Sequence, residues 1–145
     1  MSDELTPVQR ANKTTLKALL GGGIGFVGFT GWALYYNEYD IATSVLRGLA
    51  TGTIIAGSIG LGEGLGSIIA PQMTQDPLGL YVINDVISNG ISAILLTILE
   101  VQAYDKPFDA ETVENVLQKG FDCILFSSGV FALSKYKNGK DLYMQ

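Results

Sequence analysis

At 145 residues the chain has room for one domain, and 48% apolar against 16% charged residues is high for a soluble protein of that size. Its mean hydropathy of +0.31 points to lipid. The absence of histidine removes the usual general base and the commonest zinc and haem ligand, the single Cys123 closes no internal disulfide, and a net charge of −5 weighs against a nucleic-acid partner.

A helix crossing the roughly 30 Å hydrocarbon layer needs about 20 mostly apolar residues. Four stretches meet that need, approximately 18–37, 48–70, 78–99 and 116–134. Ahead of them, Met1 to Lys13 is polar and of mixed charge, unlike a secretory signal or an Arg-rich presequence, so any organelle targeting is expected to be internal. The first span, Ala18 to Asn37, carries no charge and sits between Lys17 and Glu38, with Trp32, Tyr35 and Tyr36 placed for an aromatic belt. The second is broken only by Glu63 and is expected to stop at Pro71. The third is interrupted by Asp85. The fourth, the least hydrophobic, has Lys119 and Asp122 in its first turns, and a helix start is expected at Asp109. Residues 19–34 are apolar or small on every face, which a soluble amphipathic helix would not be. The expected fold is a single all-α integral membrane domain, a bundle of four transmembrane helices that is glycine-rich in the first two.

Thirteen of the eighteen glycines fall in those first two spans. Each glycine costs a helix roughly 1 kcal/mol relative to alanine in water, so its return must be close backbone approach. Gly21 with Gly25, Gly48 with Gly52, and Ala56 with Gly60 and Gly64 make small-residue ridges, which predicts tight packing of the two spans against each other or against a neighbouring chain. The run Gly21 to Gly25 is not a phosphate loop, because no strand precedes it and no Lys-Ser/Thr follows.

With four spans both termini share one side of the membrane. Arg10, Lys13, Lys17, Lys135, Lys137 and Lys140 lie there, against Arg47, Lys106 and Lys119 opposite, which predicts termini in the cytoplasm or matrix. Acidic residues at membrane depth are functional candidates by default. Glu63 and Asp85 each fall roughly 10 Å from the terminal-side surface and can face one another. Their candidate roles are pairing at that interface, contact with a partner subunit, or a proton or cation route. Asp122 lies near the level of Arg47, and an Arg47–Asp122 pair is expected. No nucleophile and base can be assembled from Ser, Cys and Asp without a His or a suitably placed Lys, so no catalytic, cofactor or metal site is expected.

The first two spans resemble the preprotein and amino-acid transporter family of mitochondria and chloroplasts, which includes inner-membrane import-channel subunits and an accessory subunit of respiratory complex I. The family motif is Gly or Ala, two residues, Phe or Tyr, ten residues, Arg, three residues, Asp, six residues, a small residue, then Gly-x-x-x-Gly. Ala33, Tyr36, Arg47 and Ser58 fall on that spacing, Thr51 stands where the Asp belongs, and the closing glycines are displaced by one to Gly60 and Gly64. Asp76-Pro77 is similar to the Asp-Pro before the third span of several members. Over roughly Gly21 to Leu95 the resemblance implies four spans in the mitochondrial inner membrane, with membrane lipids and other subunits of a hetero-oligomeric complex as partners. It implies either a non-catalytic accessory subunit, closest in kind to that of complex I, or a translocation or ion channel component in which Glu63, Asp85 and Asp122 line a wet cavity. Family members place their termini in the intermembrane space, opposite to the side favoured here by the basic residues. The acidic composition, with a pI near 4.5, also admits a structural protein of a virion or another non-mitochondrial membrane.

Overall fold

The computed structural model describes residues 6–139. They form four helices, α1 Pro7–Tyr35, α2 Ile41–Met73, α3 Pro77–Ala103 and α4 Ala110–Asn138, and no strand among the described residues. All four are long and apolar enough to cross a membrane. Helices of 27 to 33 residues are about 40–50 Å long. They therefore overhang the hydrocarbon layer, and each begins before or ends beyond the apolar run that marks it in the sequence.

Local chemistry sets the ends. Thr6 and Gln9 form a reciprocal capping box ahead of Pro7, so α1 starts eleven residues before the first apolar span. Asp40 and Asp109 accept the backbone N–H groups of Thr43 and Thr112, at 2.6 and 2.9 Å, and start α2 and α4. α2 runs two residues past the expected stop at Pro71, because a proline in the last turn removes one helical hydrogen bond where the ladder is already ending. Gly139, at φ +69°, closes α4 in a left-handed cap, with Lys135 and Lys137 in the last turn opposite the negative end of the helix dipole.

The helices pack in chain order, and α4 returns against α1 to close the bundle. Ile55, Ile59, Leu96, Val116, Cys123 and Ile124 form the shielded core. The closest approach is between α1 and α2. A Cβ on Gly22 would lie 2.7 Å from the Gly52 carbonyl oxygen, and one on Gly52 would lie 3.1 Å from Phe26 Cβ. Gly21, Gly25 and Gly48 are buried against Ile59, Ile55 and Thr30 in the same way. Gly62 and Gly66 receive Ser88 and Asn84 of α3, and Gly120 receives Ser92. Gly60 and Gly64 do not share this role: nothing in the chain lies within 4 Å of a Cβ built on either.

Leucine at position 52 must push α1 away. We expect Gly52→Leu to lower stability by about 1–3 kcal/mol or more, while Gly57→Leu, equally open to its surroundings as Gly60, stays within about 0.5 kcal/mol. Thermal unfolding in detergent reads both, and equal effects would refute the packing assignment. A second expectation concerns acid. The backbone N–H of Thr43 holds the Asp40 carboxyl below its ordinary range, as that of Thr112 does for Asp109. A depressed pKa contributes stability that is complete above the ordinary carboxylate range and is lost as pH falls through the depressed value. Amide exchange at Thr43 and Thr112, corrected for intrinsic rates, should accelerate on that descent; flat protection would show that the caps contribute nothing.

Candidate functional site

Lys17 is the ten-residue successor of Pro7 on α1, Glu63 precedes Met73 by ten on α2, Asp85 follows Pro77 by eight on α3, and Ser128 precedes Asn138 by ten on α4. At 1.5 Å per residue all four stand about 12–15 Å from the terminal-side helix ends, in one layer. Each is also turned inward. Lys17, Gly21 and Gly25 follow one another at four-residue steps along the buried face of α1, and Ile59 and Glu63 do so on α2.

The layer is a hydrogen-bonded ion cluster. The Lys17 ammonium is wholly shielded from solvent. It pairs with Glu63 and, at 3.2 Å, with Asp85 Oδ1. Asn84 Nδ2 donates to the other oxygen of Glu63 at 3.1 Å, and the Ser128 hydroxyl donates to Asp85. All four helices therefore contribute. Removing charges from water costs several kcal/mol per ion, a cost offset only when opposite charges and donors surround each group as they do here. The Tyr81 ring, itself buried, receives both Lys17 and Lys13, whose ammonium groups lie 5.6 and 4.2 Å from its centroid.

Glu63 and Asp85 are thus brought together as the sequence suggests, through a residue that the sequence places at the border of the first span. Lys17 escapes notice because it ends an apolar run and reads as a flanking charge. Its four-residue spacing from Gly21 and Gly25 is the signal that places it on the packing face. Nothing in the sequence singles out Asn84 or Ser128 among the other small polar residues of their helices.

The opposite end is built differently. Arg47 does not pair with Asp122. Its Nη1 donates to the Tyr39 hydroxyl at 2.8 Å, and the guanidinium lies over the rings of Tyr39 and Tyr104, 4.1 and 3.8 Å from their centroids. Burial pushes the Tyr104 hydroxyl above its ordinary pKa, against the opposing pull of Arg47. Aromatic faces have taken up the cation, which leaves the Asp122 side of α4 exposed. Lys119 reaches Glu100 at 3.5 Å and covers the Phe29 ring at 4.9 Å. Between α1 and α4 at this end lies a cavity of about 640 Å³, with Arg47, Thr51 and Ile55 of α2 on its wall and Asp122 and Cys123 of α4 opposite. Glu63 and Asp85 do not line it, so the three acids of the spans do not share one cavity. No group of three or more Cys, Asp or Glu that would hold a metal ion occurs among the described residues.

Comparison with family models, with curated proteins and with solved structures gives no match to this chain.

The ion layer has a measurable signature. Lys17→Met leaves two carboxylates facing each other in the bundle and should destabilise it by about 3–5 kcal/mol. The triple variant Lys17→Met, Glu63→Gln, Asp85→Asn should recover most of that loss. A single variant as stable in thermal unfolding as the parent would remove the cluster from the account of the fold.

Proposed function

We propose that this chain is a non-catalytic structural subunit of a larger membrane assembly, seated among its partners through glycine-bearing helix faces. The observation that carries the reading is the outer side of α2, where Gly57, Gly60 and Gly64 meet nothing of their own chain within 4 Å. Seven glycines of α1 and α2 return their helical cost as close contact inside the bundle. These three do not, and in lipid the return available to them is the close approach of another transmembrane helix. The charges at membrane depth support the same reading, since Glu63 and Asp85 are engaged with Lys17, Asn84 and Ser128 rather than lining a water-filled route with Asp122.

The resemblance of Ala33, Tyr36, Arg47 and Ser58 to the transporter-family motif supports respiratory complex I in the mitochondrial inner membrane as the parent assembly. Ala33 and Ser58 are fully buried, as positions that fix the approach of α1 and α2 should be.

Native electrophoresis of gently solubilised membranes, with mass spectrometry to locate the chain, tests the reading. Co-migration with a respiratory complex supports it; migration alone or with import components points instead to the translocation channel. Within the assembly, Gly60→Leu should leave the thermal stability of the isolated chain unchanged and still abolish incorporation. Normal incorporation of that variant would overturn the packing role of the outer face.

A further inference from the structure

The cavity at the loop end has the construction of a lipid seat. Arg47 is six residues into α2, and the midpoint of that 33-residue helix falls ten residues later, so Arg47 stands about 15 Å from the bundle centre, at the edge of the hydrocarbon layer. Among the described residues no carboxylate lies within ion-pair distance of its guanidinium. The two tyrosine rings fix its plane, and the hydrogen bond that Nη1 donates to the Tyr39 hydroxyl occupies one of its five donor positions. A cation held rigid at this depth, without a counter-ion and facing a cavity, is arranged to receive an oxyanion. Lys119 stands across the same cavity, about one-third exposed and only distantly engaged by Glu100.

Deeper than these cations the wall is apolar at Ile24 and Ile55, with Phe29 and Val116 at the level of Arg47, and Gly28 leaves open space along α1. The volume of about 640 Å³ lies within the range of about 300–1,000 Å³ typical of sites for sizeable ligands. The rim adds a second sign of charge. Asp109 and Glu111 are exposed carboxylates where α4 begins, and the cavity as a whole carries one more acid than base. A polyanion is disfavoured there, whereas a headgroup carrying both a phosphate and an ammonium matches both walls.

We propose that the cavity between α1 and α4 binds one zwitterionic phospholipid, its phosphate on Arg47 and Lys119, its ammonium toward Asp109 and Glu111 at the start of α4, and an acyl chain along Gly28. The site is independent of which assembly the chain joins.

Trp32 is the only tryptophan and lines this cavity, so its fluorescence reports occupancy. The full chain in mild detergent is titrated with phosphatidylethanolamine carrying brominated acyl chains, with native mass spectrometry counting bound lipid. Saturable quenching at one lipid per chain is expected. Arg47→Gln and Gly28→Leu should each weaken it about tenfold or more, the first by removing a charge-assisted hydrogen bond and the second by filling the groove while leaving Arg47 intact. Thermal unfolding checks that each variant is folded, and Gly28→Leu, with no neighbour within 4 Å to displace, carries the test if Arg47→Gln does not fold. Quenching that rises without saturation, or equally in a folded Gly28→Leu variant, would overturn the site. Competition by inorganic phosphate alone would make it a free-anion site, and tighter binding of phosphatidylglycerol would overturn the zwitterionic assignment.

Discussion

The Lys17 ammonium has no water around it, and the rest of the bundle is arranged so that it need not have any. A long side chain of this kind ordinarily extends to the membrane surface. Here it points across the bundle, because the capping box at Thr6 starts α1 eleven residues before the apolar run and carries Lys17 inside the helix stack. Its charge then requires carboxylates from α2 and α3, which in turn require donors from α3 and α4. The cluster exists only when all four helices are at the correct level and rotation. Helix register in lipid is otherwise weakly specified, since one apolar face slides against another at little cost, and a buried ion layer restricts that freedom.

Small residues make this reach possible. Lys17 reaches Glu63 because α1 and α2 are in near backbone contact farther in, at Gly22 and Gly52. The same principle places α3, where Asn84, Ser88 and Ser92 settle over Gly66, Gly62 and Gly120. The polar face of α3 thus serves as a row of short knobs filling glycine holes on both neighbouring helices. At the loop end this ridge is absent between α1 and α4. Gly28 and Gly31 meet nothing, Trp32 is about half exposed, and the two helices part around the cavity.

Much of the fold is legible in the sequence, because span length and the absence of charge are direct consequences of the hydrocarbon layer. The asymmetric placement of glycine likewise identifies the pair that packs most closely, and Asp109 declares the start of α4. Pairings across the bundle are less legible, since they depend on helix rotation. Read from the sequence, Asp122 and Arg47 share the loop end and are the obvious partners on that ground alone, but Arg47 stands six residues into α2 and Asp122 twelve into α4. Two tyrosines from the loop before α2 and the end of α3 claim the guanidinium instead, and no periodicity within a single helix encodes that encounter. Gly60 and Gly64 show the same limit in reverse. Their spacing matches that of the packing glycines, but they occupy a face of α2 that is turned away from α1.

Charge balance in the ion layer also has a physical reason for its extra tyrosine. Lys17 alone against Glu63 and Asp85 would leave one negative charge uncompensated in a medium of low dielectric constant. Lys13, one helical turn nearer the membrane surface, lies 4.2 Å above the Tyr81 ring whose plane also meets Lys17. The negative potential of an aromatic face attracts cations, so Tyr81 favours both lysines of this stretch of α1. Tyr81 begins the inward face of α3 one turn before Asp85, so the residue that positions the second lysine and the residue that binds the first are fixed by the same helix. The charge that makes α1 costly to insert and the charge that holds it in place are consequently parts of one structure, set within the terminal-side half of the bundle.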